Sequence, residues 1–243
     1  MKWQFKREKK ISTKVLNSSK SPLWNQCEEL EFNVFSDCNY INLSEHKRIN
    51  TFDKYQISLL IAAIRAIDRR LTGVVRVVCN INSDMQKEYF PTIDHADIIE
   101  RPADSLAERY LLKQMKNRDR NKLIIFRDRY EEVMSLAASR CMDFSTFAIL
   151  PEYRDAKTSN ALITRTIFLS WERSVRYALT ALDTQIYTKF KQRGLPVKAL
   201  GPSAYYWGSP TIATLSDLYA APKNFWKLLI PIMQLKGKIG GRV

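Results

Sequence analysis

The stretch CMDFSTFAILPEYRDAKTSNALITRTIFLSWERSVRYALTAL (141–182) decides the fold class. Residues 141–150 read as a strand, stopped by Pro151, which cannot extend a ladder. PEYRDAKTSN (151–160) follows as a loop. A long helix is expected from about Asn160 to Tyr177, with Ile163, Ile167, Trp171 and Val175 stacked on one face. ALTAL (178–182) is a short strand. DTQIYTKFKQRG (183–194) is a helix ended by Gly194, and residues 195–216 are a hairpin or strands around Gly201 and Gly208. Strand, phosphate-type loop, long helix, strand, helix, strand is the order of an α/β protein with a mixed sheet.

Upstream, GVVRVVC (73–79) is β-branched and opened by Gly73, so it is a strand. QISLLIAAI, within 56–68, fits a strand or a short helix. Residues 23–37 place Leu23, Trp24, Cys27, Leu30, Val34 and Phe35 at spacings of three and four, which predicts an amphipathic helix. Residues 103–122 read as a polar, basic helix and 123–138 as a second one. Residues 1–22 form a basic arm, residues 23–218 one domain with an insertion around 100–138, and residues 219–243 a tail. The tail segment FWKLLIPIMQLKGK fits either a membrane surface or a packed helix interrupted by Pro231. No internal repeat is visible.

The chain has 243 residues, 45% of them apolar and 26% charged, which is ordinary globular usage. It carries 39 Lys and Arg against 25 Asp and Glu, a formal charge of +14, so an acidic partner is expected. Only 7 glycines are present, and no glycine-rich phosphate loop or dinucleotide fingerprint. The four cysteines and two histidines have no metal-ligand spacing, so no metal site is expected. Free thiols point to a reducing compartment. Residues 1–20 lack the apolar core of a secretory signal, and no apolar run is long enough to span a membrane. The expected location is cytoplasmic, with the tail available for contact with the inner membrane.

Several short stretches, in order, resemble the acyl-homoserine-lactone synthases and the related N-acyl amino acid synthases, a group with the GNAT (N-acyltransferase) fold. LEFNVF (30–35) is similar to the family's Leu-Arg-x-x-Val-Phe helix. FDKY (52–55) resembles the acidic segment after it, GVVRVV (73–78) the Gly-x-x-Arg strand, and EYFP (88–91) the Phe-Pro element. DFSTFAI (143–149) lines up with Glu-x-Ser-Arg-Phe-Ala-Ile, followed by PEYR (151–154). KQRGL (191–195) and Gly201-Pro202 resemble the family's Arg-x-Gly-Leu and Gly-Pro. Two positions depart from the pattern: Glu31 and Thr146 stand where the family has Arg. In the lactone synthases both arginines belong to the set associated with S-adenosylmethionine and acyl handling. Their replacement shifts the expected product from a homoserine lactone autoinducer of quorum sensing to an N-acyl amino acid.

The resemblance implies acyl transfer from a thioester to a small amine, with no tightly bound cofactor. Such a reaction needs a base for the amine and hydrogen-bond donors for the carbonyl oxygen. Asp143 is the candidate base; its alternative is a strand-end Asp capping a loop. Asp53 is the second carboxylate, or a turn residue. Arg76 lies in an apolar strand, where a charge needs a partner; Asp53 or Asp143 is the expected one, unless Arg76 lies at an exposed edge. Phe35, Phe90, Phe144, Ser145, Thr146, Phe147, Phe168 and Trp171, with Leu182, are candidates for the substrate slot, the aromatics having core packing as their alternative.

The loop Tyr153–Asn160 lacks the glycines that let a backbone wrap a CoA pyrophosphate. It fits the single phosphate of a phosphopantetheine arm, bound by Arg154, Lys157, Thr158, Ser159 and Asn160 at a helix N-terminus. The donor is then an acyl thioester on acyl carrier protein, with acyl-CoA as the other source. An acidic carrier would dock on Arg118, Arg120, Lys122, Arg127, Arg129 and Lys157; the alternative is a solvated basic face. A nucleic-acid-binding module fits the charge, but the basic residues are spread along the chain without a recognition motif, and no nucleic acid partner is expected. A non-catalytic GNAT-like interaction protein is the remaining alternative.

Overall fold

The computed structural model describes residues 10–17, 20–37, 58–79, 90–104, 107, 113, 122–154, 156–192 and 194–220. Asp53, Arg118, Arg120, most of the expected 103–122 helix and the tail from Lys223 lie outside the described residues, as do residues 1–9 of the expected basic arm.

Ten strands and five helices are described. Eight strands form one mixed sheet in the order β1 (Ile11–Leu16), β2 (Ser58–Arg65), β3 (Leu71–Cys79), β6 (Cys141–Ile149), β7 (Tyr177–Asp183), β10 (Ser209–Asp217) and β8 (Val197–Ala199), with β9 (Ala204–Tyr206) also paired to β10. β6 and β7 run parallel; every other pair in this sheet is antiparallel. β4 (Ala96–Ile99) and β5 (Leu123–Phe126) make a separate parallel pair. The helices are α1 (Pro22–Asp37), the single turn α2 (Pro91–Asp94), α3 (Arg127–Ser135), α4 (Ala156–Glu172) and α5 (Thr184–Gln192). This is the expected α/β, GNAT-like fold.

Alternation along the central strands divides the core into two layers. Leu60, Ala62, Val74 and Ala148 face α1, against Trp24, Cys27, Leu30 and Val34. Leu59, Ile61, Val75, Val77 and Met142 face the other way, against Leu162 and Leu169 of α4. A further cluster continues the α1 layer under β5, where Leu123, Ile125, Phe90 and Ile93 meet Cys141, Leu179 and Leu215. α1 begins with Pro22, whose missing N–H costs nothing at a first helical position. α5 ends as expected: Gly194 has φ 70°, and Leu195 N–H donates to the Phe190 carbonyl.

Four expectations need correction. Residues 11–16, assigned to a basic arm, are the edge strand β1, paired with β2 from Ile11–Arg65 to Leu16–Leu60. Their alternating half-buried pattern suits an edge strand, which the lysine content obscured. Residues 123–138, read as one helix, divide into the buried strand LIIF and α3; four apolar residues in a row fit either element until the burial is known. α4 begins at Ala156 and ends at Glu172, so Thr158, Ser159 and Asn160 lie in its first turns and not in a loop. Its sheet-facing side chains are Leu162 and Leu169, which are not on the expected stripe; of that stripe Val175 packs in the same cluster, beyond the helix end. The ambiguous 56–68 run is strand β2.

Candidate active site

β6 changes neighbours along its length, and the site is built where it does. Residues 141–144 pair with 177–180 of β7, ending at Phe144–Thr180. Beyond that pair, β6 continues beside β3 to Ile149, and β7 continues beside β10 to Asp183. The two parallel strands thus part, and the sheet opens into a fork. The bulge sits at the same point: Arg76 is opposite Thr146 and Val77 opposite Phe144, which leaves Ser145 as the extra residue.

Asp143 stands at the base of this fork, wholly buried. One carboxylate oxygen accepts the Thr92 backbone N–H at 2.7 Å, and the other accepts the Ser145 hydroxyl at 3.1 Å. Burial pushes its pKa up to about 6, and the bonds from Thr92 and Ser145 hold it back from rising further. Thr92 lies on α2, the turn opened by Phe90-Pro91, so the Phe-Pro element fixes the group that anchors Asp143. Phe90 itself is buried in the core beneath β5.

Among the described residues the carboxylate that pairs with Arg76 is Glu31 and not the expected Asp143; Asp53 lies outside the described residues. Its Nη2 donates to Glu31 Oε2 at 2.6 Å and its Nε to both Glu31 oxygens at 3.1 and 3.2 Å. Glu28 Oε1 lies 3.5 Å from Nη2. The Thr146 hydroxyl donates to Glu31 Oε1. Burial works against the charged guanidinium, yet Glu31 holds its pKa above the ordinary value. The two departures from the family pattern, Glu31 and Thr146, are therefore bonded to each other and share Arg76. A signal for this was available: Glu31 interrupts the apolar stripe Cys27–Val34 of α1, and Arg76 interrupts an apolar strand.

The remaining candidates divide. Ser145 is half-buried at the bulge. Phe147 is 43% exposed on the part of β6 that has lost β7. Phe144 packs into the α4-side core, on the face opposite Asp143. Phe168 and Trp171 contact each other edge-on, with centroids 5.8 Å apart. Phe35 meets Trp207 edge-on at 5.7 Å. Arg154 Nε donates to the Ile149 carbonyl at 3.3 Å. Thr158 is buried, and Lys157 and Asn160 are exposed in the first turns of α4, which starts just beyond the end of β6. Of the expected carrier-docking residues, Lys122 pairs with Asp97, Arg127 with Glu100, and Arg129 with Glu132. These three are engaged with acidic neighbours and do not form an unpaired basic face.

Three residues that the sequence did not single out as candidates gather around the α2 turn that anchors Asp143. Tyr206 and Trp207 end the β9 arm of a hairpin, and His95 follows α2; the Tyr206 hydroxyl is 2.8 Å from His95 Nδ1. Burial raises the Tyr206 pKa, and the Asp143 and Asp94 charges raise it further. Their signal in the sequence was weak, because a lone His and an aromatic pair before a glycine are ordinary in any domain.

No family model and no curated protein matches the sequence. Solved structures do match in shape. Against the acyl-homoserine-lactone synthase LasI the alignment covers 86% of this chain and 90% of that one, with a TM-score of 0.54 at 10% identity. Against BjaI, a CoA-dependent acyl-homoserine lactone synthase solved with MTA, it covers 86% and 84%, with a TM-score of 0.55 at 13% identity. Against FeeM, an N-acyl amino acid synthase from uncultured soil microbes, it covers 87% and 92%, with a TM-score of 0.50 at 9% identity. The likeness is one of fold over most of both chains: the chain has the fold of the acyl-homoserine-lactone and N-acyl amino acid synthases.

Proposed function

We propose that the chain is an N-acyltransferase that moves a fatty acyl group from a thioester to the amine of an amino acid or a related small molecule. The observation that carries this reading is the fork past Phe144–Thr180, with the ionisable Asp143 anchored at its base. The acyl thioester lies in the fork, against Phe147. Asp143, acting through the half-buried Ser145 hydroxyl, takes a proton from the amine. The nitrogen lone pair attacks the thioester carbonyl, the C–S bond breaks, and the thiolate collects a proton from solvent. A carboxylate near pH 6 is ionised at neutral pH, yet accepts a proton more readily than one with an ordinary pKa.

Acyl carrier protein is the donor we favour, meeting the chain in the cytoplasm. The segment Pro151–Arg154 has no glycine for wrapping a pyrophosphate, and α4 begins two residues later, with the positive end of its dipole toward an incoming phosphate. The CoA dependence of BjaI makes acyl-CoA the second reading. Among the described residues no helix is long and apolar enough to cross a membrane, and contact with a membrane surface falls to the tail beyond Ala220. The amino acid acceptor is favoured over S-adenosylmethionine because Glu31 and Thr146 occupy the two arginine positions and bond to each other.

Mass spectrometry of lipid extracts from cells expressing the chain tests the reading. A new N-acyl amino acid, absent from cells expressing Asp143→Asn, is the expected result. A homoserine lactone in its place would select the autoinducer reading, and no new acylated amine would remove the enzyme reading.

A further inference from the structure

Tyr206 offers a hydroxyl that the mechanism above does not use. Its strand β9 pairs with β10, and β10 flanks the β7 arm of the fork through Thr211–Asp183 and Ile212–Leu182. β9 lies on the edge of β10 away from β7, and the Tyr206 ring packs into the cluster that holds Phe90 and Leu179, within range of the Asp143 charge. It is 9% exposed, His95 15% and Asp94 32%, so the three step outward from the core. Tyr206 Oη and His95 Nδ1 are 2.8 Å apart, and His95 Nε2 is 3.7 Å from an Asp94 oxygen. His95 and Asp94 belong to the same turn whose Thr92 N–H clamps Asp143, so one short segment fixes both the carboxylate and the phenol.

The neighbouring residue carries a mark of constraint. Trp207 has φ 45°, a left-handed conformation that a bulky side chain rarely adopts. It forms the two-residue hairpin turn with Gly208, and its ring stacks on Tyr206 at 5.4 Å and meets Phe35 of α1 edge-on. α1 packs on β6 and β3. The Phe35–Trp207 contact therefore ties α1 to the β9–β10 hairpin, with the ring of Tyr206 between Trp207 and His95.

A phenol shares one proton with the nitrogen beside it. Either tautomer of His95 fits the 2.8 Å contact; in the one that carries its proton on Nδ1, His95 donates to the phenolic oxygen and the Tyr206 proton is left for another acceptor. Resting on the acyltransferase reading, we infer that Tyr206 is a further catalytic residue whose O–H donates to the thioester carbonyl oxygen as that oxygen gains charge, and that His95 is its positioning residue. No bond to Tyr206 is made or broken: its hydrogen bond strengthens as the tetrahedral intermediate forms and weakens as the thiolate leaves. Loss of one such donor costs about 10²–10³-fold in turnover.

The test uses the full chain, octanoyl-pantetheine as donor, an equimolar mixture of the twenty amino acids as acceptor, and thiol release as readout. Tyr206→Phe keeps the ring and its stacking; it should lower kcat about a hundredfold with KM within a factor of three. Because His95 acts only through Tyr206, adding His95→Gln to Tyr206→Phe should bring little further loss. Replacing Tyr206 by fluorotyrosines of increasing acidity should change kcat in step with phenol acidity, which a packing role would not do. Tyr205→Phe, at an exposed neighbouring position, is the control. Active wild-type enzyme with Tyr206→Phe within twofold of it, or fluorotyrosines with no trend, would overturn the inference and leave the acyltransferase reading standing. Wild-type enzyme that releases no thiol from octanoyl-pantetheine, octanoyl-CoA or octanoyl-acyl carrier protein with any acceptor would overturn both.

Discussion

The guanidinium of Arg76 grips the carboxylate of Glu31 at 2.6 Å in the core of the protein, where they are 3% and 0% exposed. The two come from elements 45 residues apart, α1 and β3, and the Thr146 hydroxyl of β6 completes the cluster. Three elements of the fork are thereby held by one buried ion pair.

Breaking that pair leaves an uncompensated charge in an apolar layer. Glu31→Gln is expected to cost about 3–5 kcal/mol, whereas Glu31→Met with Arg76→Met together should cost markedly less, because no lone charge remains. Urea denaturation of the two variants measures this. Equal losses in the single and double variants would show that packing, and not charge pairing, sets the cost.

Asp143 links stability and activity to pH in opposite directions. Its folded pKa of about 6 lies above the ordinary 3.8, so proton binding favours the fold. That contribution is fully present below about pH 4 and is lost as pH rises through about 6. Asp143→Asn cannot ionise. It should match wild type in stability near pH 4 and exceed it above pH 6.5, by on the order of 2–3 kcal/mol. Turnover should follow the ionised carboxylate, rising with pH through about 6 in wild type and staying near zero in the variant. Denaturation midpoints at pH 4.5 and 7.5, with a pH–rate profile, check both halves.

Gly201 is needed for close approach. A Cβ there would overlap the Ile124 carbonyl and crowd the Ile125 Cα of β5, backbone that cannot swing aside. Gly201→Ala should destabilise by at least about 1–3 kcal/mol, the range for overpacking a core. A thermal melt within 1 °C of wild type would contradict the packing described between β5 and the segment after β8.

Phe147 separates packing from function. At 43% exposure it contributes little to the core, so Phe147→Ala should change stability by less than about 1 kcal/mol. If it lines the acyl slot, the lost contact should slow transfer of long-chain donors about tenfold, at the ~25 cal/mol per Å² that apolar burial supplies, and spare short-chain donors. A stability loss with no change in chain-length preference would place Phe147 in the core alone.

Much of the site frame was legible because it depends on local pattern. Strand β6, the helix after it and strand β7 follow from 141–182, and their order already implies a mixed sheet. Arg76 stood out as a charge within an apolar run, and Asp143 through the resemblance of DFSTFAI to the family's strand. The misses share one cause. The LIIF run at 123–126 and the 11–16 edge strand owe their conformation to partners distant in sequence, Ala96–Ile99 and Leu60–Arg65. The Glu31–Arg76–Thr146 cluster could have been suspected from two misplaced charges, but which carboxylate reaches the guanidinium depends on how α1 crosses the sheet. His95 and Tyr206 are 111 residues apart, and no local pattern joins them.

The most direct measurement of the account is a single-turnover reaction of the purified chain with ¹³C-labelled acyl-acyl carrier protein and the mixed amino acids, followed by mass spectrometry. Wild type should form a labelled amide, and Asp143→Asn, folded and at least as stable above pH 6.5, should form it at least a hundredfold more slowly. A labelled amide made at the wild-type rate by Asp143→Asn, or none made by wild type from either carrier-bound or CoA-bound acyl groups, would contradict it.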